Sequence, residues 1–238
     1  MIKVEDLYFS RGRKPVLNIQ SLSVKHGERI ALLGPSGSGK TTLLRLIAGL
    51  ETESKGTIRL DGVAVSGRNY VPPSERGINM LMQDYGLWSH LTALQHLAFV
   101  RRSGKSIRPT ESDRELLGAV GLGHKYDAYP AQLSGGEQQR LALARTMARD
   151  ADILFLDEPF SNVDAVLGRE LMSMLDCLQN ERNMTRIMVT HDIEEAIRTS
   201  DRLFVMDNGR VVHQGTWQEL CESPRGCWSR RLVEMYGV

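Results

Sequence analysis

The most distinctive segment of the sequence is a run of small residues between an apolar stretch and a helix-like stretch. This run, "GPSGSGKT" (Gly34 to Thr41), fits the pattern G-x-x-x-x-G-K-[ST]. Backbone N–H groups in such a loop point inward and bind phosphate oxygens, and its glycines allow close approaches that a Cβ forbids. Lys40 can neutralise β- and γ-phosphate oxygens, and the Thr41 hydroxyl can ligate Mg²⁺. The residues predicted to bind a nucleoside triphosphate are Gly34, Pro35, Ser36, Gly37, Ser38, Gly39, Lys40, Thr41 and Thr42.

A second group with matching chemistry is a pair of carboxylates in "DILFLDEP" (Asp152 to Pro159). Four apolar residues predict a buried strand, and Asp157 follows at its carboxyl end, where open parallel sheets bind ligands. Asp157 can hold Mg²⁺, and Glu158 can orient or deprotonate an attacking water. The alternative is a solvated acidic turn before the proline, which the presence of the glycine loop disfavours.

A third feature is another glycine-containing helix start, "LSGGEQQR" (Leu133 to Arg140). Ser134, Gly135 and Gly136 precede a helix-like run, so this helix start is receptive to anions as well. One chain therefore carries two predicted phosphate-binding helix starts that are far apart in sequence.

With these three features the sequence resembles the ATP-binding-cassette (ABC) ATPases, whose defining stretch is Leu-Ser-Gly-Gly-Gln/Glu. Further segments match in the family's order over nearly the whole chain: Gln83 the glutamine loop, "SNVD" (Ser161 to Asp164) the loop after the second carboxylate, and His191 the switch histidine. The resemblance implies that Gln83 is a catalytic residue and Mg²⁺ ligand. It also implies that His191 contacts the γ-phosphate and that Asp164 communicates across a subunit interface.

The resemblance also implies a second copy of the chain as a partner. Two separated helix starts cannot easily clamp one nucleotide within a monomer. In cassette ATPases a head-to-tail dimer sandwiches two ATP molecules, and each subunit lends its Ser134–Gly136 equivalent to the other's γ-phosphate. Closure of the dimer then depends on ATP, and hydrolysis releases it.

The stretch around Gln83, "PPSERGINMLMQDYGLWSHLTALQHLAF", is similar to that of bacterial importer ATPases for polyamines, ferric iron, sulfate, thiamine or sugars. This similarity implies integral-membrane permease subunits as partners, a substrate-binding protein as an indirect one, and a peripheral position on the cytoplasmic face of the inner membrane. Gly86, Leu87, Trp88 and Leu91 are candidates to line a groove for a permease helix. The alternative for Trp88 and Leu91 is ordinary packing within a helical lobe.

Two features depart from that importer group. Many of its members carry a C-terminal regulatory domain, and because this chain ends at Val238 we expect none. Family members also stack an aromatic residue on adenine near the N-terminus. Here Arg11 aligns near that position and Tyr8 and Phe9 precede it, so the choice among the three stays open. A guanidinium plane can also stack on a base.

The elements that position these residues predict an α/β fold. Strand patterns occupy residues 2–33, helical patterns dominate between residues 84 and 150, and strands and helices then alternate. The expected architecture is a P-loop NTPase core with a mostly parallel sheet, an N-terminal antiparallel β lobe and an inserted helical subdomain. We expect one ABC ATPase domain over 1–238, with a core of about 1–84 and 151–238 and a helical subdomain of about 85–150.

Composition bounds the possible functions. The chain has 238 residues, and its three cysteines match no zinc pattern. Its net charge is only +1, so the charge gives no reason to expect a nucleic-acid partner. The predicted function is ATP hydrolysis that powers import across the cytoplasmic membrane, with ATP and Mg²⁺ as cofactors. The alternatives are an exporter-type or a non-transport cassette ATPase. A nucleotide kinase is disfavoured because "LSGGEQQR" and His191 would have no purpose in one.

Overall fold

The computed structural model describes residues 2–53, 55–101 and 108–236. The sequence "RSGKSIRPTES" predicts a polar loop over residues 102–112, of which 102–107 lie outside the described residues. The strands are β1 (Ile2–Arg11), β2 (Lys14–Val24), β3 (Arg29–Leu33), β4 (Lys55–Leu60), β5 (Val63–Ala64), β6 (Ile78–Leu81), β7 (Ile153–Asp157), β8 (Thr185–Val189), β9 (Arg202–Asp207) and β10 (Arg210–Gly215). The helices are α1 (Lys40–Ile47), α2 (Ala93–Arg101), α3 (Glu111–Ala119), α4 (Gly135–Ala148), α5 (Ala165–Arg182), α6 (Ile193–Thr199), α7 (Trp217–Glu222) and α8 (Cys227–Tyr236).

The chain divides into two compact units. The first unit consists of Met1–Ile78, Asp152–Asp157 and Asn183–Val238. The second consists of Asn79–Ala151 and Glu158–Arg182. Asp157 and Glu158, although adjacent in sequence, thus belong to different units.

An antiparallel sheet occupies the N-terminal part of the first unit. Its strand order is β2-β1-β4-β5, and every pair in it is antiparallel. The Asp61-Gly62 pair turns β4 into β5 with φ angles of 48° and 82°, the left-handed backbone that an Asp-Gly hairpin favours. The antiparallel N-terminal lobe predicted from sequence is therefore confirmed.

This unit also contains five strands of a mostly parallel sheet, in the order β10-β9-β3-β8-β7. Strand β3 is parallel to both β8 and β9, and β7 is parallel to β8, whereas β10 pairs antiparallel with β9. From Ile30 to Leu33 the strand is at most 1% exposed. An unbroken apolar run of this kind suits a strand that is covered on both faces.

The core on one side of this sheet is built with the C-terminal helices. Apolar residues of β3 and β9 pack with Ile193 and Ala196 of α6, Leu220 of α7 and Leu232 of α8. Between α7 and α8 the segment Ser223–Gly226 contains a proline and a left-handed glycine. The sequence pattern from Thr216 to Val238 predicts a helical tail, and the structure divides its described residues into two helices at this segment.

The second unit is mainly helical. Helices α2, α3 and α4 contact one another pairwise, with buried leucines such as Leu97, Leu117 and Leu141 between them. None of the helices within the described residues is both long and apolar enough to cross a bilayer.

Candidate nucleotide-binding site

The loop between β3 and α1 owes its shape to its glycines. Gly34, Gly37 and Gly39 have φ angles of 146°, 77° and 102°. A Cβ on Gly34 would collide with the carbonyl oxygen of Met206, and one on Gly39 would lie 2.5 Å from a methyl carbon of Leu17. A Cβ on Gly37 would meet nothing within 4 Å, so this side of the loop is open. The loop thus combines a backbone that only glycine adopts easily with room for a ligand.

Positive charge converges on the same loop. The Lys40 ammonium donates hydrogen bonds to the carbonyl oxygens of Gly34 and Pro35, at 2.8 and 3.0 Å. Lys40 is also the first residue of α1, whose N-cap Gly39 offers no side-chain cap to the first N–H groups. An uncapped helix start next to an ammonium attracts anions, and phosphate in particular.

Directly after Lys40, a hydroxyl group and a carboxylate are hydrogen-bonded to each other. The Thr41 hydroxyl donates a 2.7 Å hydrogen bond to Oδ2 of Asp157, the last residue of β7. Asp157 is only 4% exposed. A hydroxyl and a carboxylate are the hard oxygen ligands that Mg²⁺ prefers. The donor set therefore fits the metal predicted from the sequence.

His191 lies at the same edge of the sheet. Strand register places Leu32 of β3 and Asp157 of β7 both opposite Val189 of β8. The residues that follow these strands therefore emerge at a common carboxyl edge, where ligands of parallel sheets bind. His191 follows Val189 by two positions and is exposed.

The turn that carries His191 is fixed by its neighbours. Asp192 caps α6 by accepting the Glu195 N–H at 3.0 Å, and its own N–H donates to the Thr190 hydroxyl at 3.1 Å. That hydroxyl donates to the Glu195 carboxylate at 2.7 Å. Burial raises the pKa of the Glu195 carboxyl, an effect only partly offset by the Thr190 bond.

The second unit contains the other predicted catalytic residues. Gln83 is exposed and lies in the turn after β6. Glu158 is half-buried with a left-handed φ of 51°, and its carbonyl oxygen accepts a 3.0 Å hydrogen bond from Gln139 Nε2. Asp164, at the start of α5, accepts the Leu167 N–H at 3.0 Å.

Ser134 begins α4 in a capping box. Its hydroxyl accepts the Glu137 N–H at 3.3 Å, and the Glu137 carboxylate accepts the Ser134 N–H at 2.8 Å. Hydrogen bonding of the Glu137 carboxylate by the Ser134 backbone N–H, and by the Ser134 side chain, holds the pKa of Glu137 below its usual value. Gly135 faces open space, whereas a Cβ on Gly136 would lie 2.8 Å from the carbonyl oxygen of Asn162.

The three candidates for the adenine contact differ in environment. Phe9 is 8% exposed and belongs to the core. Tyr8 is half-buried within β1, opposite Asn18 of β2. Arg11 is exposed, and its guanidinium donates to the Glu51 carboxylate at 3.0 Å. Tyr8 and Arg11 thus have side chains outside the core.

The residues after Gln83 that are candidates to line a permease groove also differ in their burial. Leu91 is 6% exposed, which fits the packing alternative for this residue. Trp88 is half-buried, with one edge contact to Phe99 at 5.0 Å between ring centroids and the Arg145 guanidinium 5.0 Å from its own ring. Arg145 also donates hydrogen bonds to the carbonyl oxygens of Tyr85 and Gly86, just before Trp88.

Sequence reasoning missed Gln139, whose buried amide contacts the turn after Glu158. The signal was available: Gln139 shares one helical stripe with Leu143 and Thr146, and a polar residue on a buried stripe needs partners. Sequence reasoning also missed Arg76, whose side chain is buried, with 6% exposed.

Comparison with known proteins decides the family. The model of the family described as "ABC transporter" matches residues 17–161, more than half of the chain. The chain belongs to the ABC transporter family. Its glycine loop, the Asp157 strand and the Ser134 helix start all lie within the matched residues.

Curated relatives of this ABC protein are ATP-binding proteins of importers. A sulfate/thiosulfate import ATP-binding protein of Cucumis sativus is 42% identical over 94% of this chain and 65% of its own length. A spermidine/putrescine import ATP-binding protein of Legionella pneumophila is also 42% identical, over 94% of this chain and 61% of its own length. The chain thus spans about three-fifths of the length of these relatives.

Solved structures share the fold. The ATP-binding cassette MJ0796, a dimer in a post-hydrolysis state bound to ADP and Pi, is 30% identical with a TM-score of 0.80. That match covers 91% of this chain and 98% of the other. A bacterial Atm1-family ABC exporter with ATP bound is 25% identical with a TM-score of 0.84, over 100% of this chain and 42% of the other.

Proposed function

We propose that this ABC protein binds and hydrolyses ATP as the energising subunit of an importer in the cytoplasmic membrane. The observation that carries the proposal is the glycine loop with its Lys40 ammonium, followed directly by Thr41 with its 2.7 Å hydrogen bond to Asp157. Such a loop cradles phosphates and such a pair suits Mg²⁺. The importer part is supported by the curated relatives, which are named as import ATP-binding proteins.

Each residue has a role in this proposal. The loop backbone and Lys40 bind the β- and γ-phosphates, and Thr41 and Asp157 would hold Mg²⁺ together with Gln83. When bound, Mg²⁺ supplies charge neutralisation on the phosphate oxygens. Glu158 orients or deprotonates the attacking water, and His191 contacts the γ-phosphate from the edge of β8. The chemistry is positioning and electrostatic stabilisation.

The proposal includes a head-to-tail dimer of this chain. Ser134–Gly136 of one copy would contact the γ-phosphate bound to the loop of the other copy. Support comes from the uncrowded face of Gly135 and from the similar MJ0796 cassette, which is dimeric. Both helix starts are then used in one composite site.

Membrane partners complete the proposal. Permease subunits would bind the segment around Gly86–Trp88, a substrate-binding protein would deliver cargo to them, and the ATPase would remain peripheral on the cytoplasmic face. The half-buried Trp88 supports this surface, because interfaces are enriched in aromatic residues.

A nucleotide-binding measurement tests the core of the proposal. Lys40→Ala should weaken MgATP affinity about 10- to 100-fold, since it removes a charged hydrogen-bond donor worth roughly 1.5–3 kcal/mol. Lys25→Ala, at an exposed position, is the matched control and should bind normally. Equal affinities of the two variants would show that the loop is not a nucleotide site.

The alternatives are separated by purification and transport. An exporter role is favoured by the likeness to the Atm1-family exporter across the whole chain. Co-purification with polytopic membrane proteins and ATP-driven uptake of solute support the importer. Export by the same complex supports the second candidate, and co-purification with ribosomes or nucleic acid supports a non-transport role.

A further inference from the structure

The buried amide of Gln139 clamps the turn that begins at Glu158. Gln139 lies on α4 and is 1% exposed. Its Nε2 donates to the Glu158 carbonyl oxygen at 3.0 Å and to the Ser161 hydroxyl at 3.3 Å. Its Oε1 accepts the Asn162 N–H at 3.0 Å. One side chain therefore bonds to the first, fourth and fifth residues of this turn.

The backbone of Glu158 needs such support. Its φ of 51° is left-handed, a conformation that is unfavourable for a residue with a Cβ and persists only when surrounding bonds impose it. Within the turn the bonds from Ser161 to the Glu158 carbonyl oxygen are long, 3.3 Å from the hydroxyl and 3.5 Å from the N–H. The 3.0 Å bond from Gln139 is the shortest of the three that this oxygen accepts among the described residues.

A second side chain holds the same turn from the segment after Gln83. The Tyr85 hydroxyl accepts a 2.9 Å hydrogen bond from Asn162 Nδ2. The Tyr85 carbonyl oxygen accepts a 2.7 Å bond from Arg145, whose guanidinium also lies over the Trp88 ring. The turn is thus connected to the residues proposed to meet the permease.

We propose that Gln139 and Tyr85 are positioning residues for Glu158, fixing the direction in which its carboxylate leaves the backbone. The inference rests on the proposed ATPase function. It adds a connection that the proposed function does not contain: Asn162 links the Tyr85 side chain to the Glu158 turn through a 2.9 Å hydrogen bond. In this proposal both residues act through Glu158.

Kinetics of two variants test the proposal. Gln139→Met keeps the side-chain volume and removes all three bonds, and Tyr85→Phe removes only the hydroxyl. We expect kcat for ATP hydrolysis to fall about tenfold or more in Gln139→Met and severalfold in Tyr85→Phe, with KM within twofold of wild type. A change in KM with unchanged kcat in both variants would overturn the proposal.

A double-mutant cycle separates positioning from general loss of structure. Where Glu158 has been replaced by Gln, adding Gln139→Met should change the residual rate less than twofold, because the group that it positions is already gone. Gln179→Met, at another buried glutamine of the second unit, is the matched control and should leave kcat unchanged. Losses that multiply in the double variant would contradict a role through Glu158.

Hydrogen exchange of the nucleotide-free protein gives a readout that is independent of activity. In Gln139→Met the Asn162 amide loses its acceptor, so peptides covering 158–163 should exchange at least tenfold faster than in wild type, and those covering α5 should not. Unchanged exchange in 158–163 would refute the clamp itself. Absence of ATP binding by the wild-type chain would instead refute the proposed function and leave the exchange result standing.

Discussion

At the scale of single residues, Asp157 and Glu158 illustrate how one step along the chain changes the chemistry. Asp157 ends a strand, is nearly buried and is bonded to Thr41. Glu158 leaves the strand with a left-handed φ and is half-buried. The first carboxylate is therefore suited to hold a cation, and the second to meet a water molecule.

Glu158→Gln tests the second role. The amide keeps the shape of the side chain but cannot accept a proton, so turnover should fall about 100-fold or more, in the range of lost general base catalysis. ATP affinity should be retained, because the loop and Lys40 are unchanged. Phosphate release and nucleotide titration measure the two quantities. Glu170→Gln, at an exposed position on α5, is the control, and rapid turnover by Glu158→Gln would show that Glu158 is not the base.

The sequence predicts a phosphate-binding role for the loop residues because the requirement for that role is local. Gly34, Lys40 and Thr41 take their positions from a strand, a short loop and a helix that are contiguous in the chain. Gln139 matters because it bonds to a turn that lies about twenty residues later in the chain. The spacing of residue types in the sequence does not reveal such a partner. The choice between Tyr8 and Arg11 for adenine likewise depends on a contact that no local pattern specifies.

At the scale of elements, Arg76 determines how the loop helix ends. Its guanidinium donates to the carbonyl oxygens of Leu46 and Ile47 at the C-terminus of α1, at 3.2 and 2.8 Å. It also donates to those of Val65 and Val71, both at 2.8 Å. A cation at the C-terminus of a helix donates to the last carbonyl groups, which have no donor within the helix, and it interacts favourably with the helix dipole.

Arg76→Met should therefore destabilise the fold by roughly 2–4 kcal/mol, because it leaves these carbonyls without a donor in a buried site. Urea unfolding at neutral pH measures the change. Arg68→Met, at an exposed position of the same unit, should cost less than about 0.5 kcal/mol. Equal stability of the two variants would mean that water replaces the guanidinium and that α1 does not depend on it.

His96 gives the segment before α2 a dependence on pH. The residue is fully buried, its Nε2 accepts the Trp88 N–H at 2.9 Å, and its Nδ1 lies 2.7 Å from the Thr92 carbonyl oxygen. Burial, aided by the nearby Arg145 charge, lowers the pKa of His96 from 6.5 to about 4. Above pH 6.5 both the folded and unfolded states carry a neutral ring. Between pH 6.5 and 4 only the unfolded chain takes up the proton, so the free energy of unfolding falls as pH falls.

The loss from His96 should approach about 3 kcal/mol by pH 4, at 1.36 kcal/mol for each unit of pKa difference. His96→Leu should flatten this part of the stability profile, whereas His124→Leu, at an exposed position, should leave it unchanged. Urea unfolding between pH 7.5 and 4 measures both. A wild-type profile that stays level from pH 6.5 to 4.5 would contradict a buried neutral His96.

Helices and strands are predictable from the sequence where the hydrophobic periodicity and the turn residues indicate the same boundaries. The Asn208-Gly209 hairpin and the buried strand β3 follow directly from such signals. Strand β2 is eleven residues long and begins with the exposed Lys14 and Pro15, which sequence pattern alone does not favour as strand and which pair with Arg11 and Ser10 of β1. The break at Ser223–Gly226 was overlooked although Pro224 marks it.

For the molecule as a whole, the two helix starts are the basis of the proposed dimer. Ser134 and Gly135 are exposed at the beginning of α4, and the Ser134 hydroxyl is already used to cap its own helix. A phosphate at this helix start would meet backbone N–H groups and the positive end of the dipole. In the proposed dimer that phosphate is bound to the loop of the other subunit.

Ser134→Arg tests this arrangement, because a long side chain at the helix start blocks the approach of the other subunit. We expect ATP affinity to stay within about threefold of wild type, hydrolysis to fall at least about tenfold, and light scattering to show monomers when ATP is added. Ser173→Arg, an equal change at an exposed position on α5, is the control and should dimerise normally. The loss of the cap itself costs only about 1 kcal/mol, too little to unfold the domain.

Dilution supplies the complementary measurement for the dimer. If the site is composite, the wild-type hydrolysis rate per molecule falls once the concentration drops below the dissociation constant of the ATP-bound dimer, whereas a monomeric enzyme keeps a constant rate. Ser134→Arg should have a low rate that does not change with concentration. A wild-type rate that stays constant on dilution, together with full activity of Ser134→Arg, would place the whole reaction within one subunit and remove the role of α4 as a phosphate site.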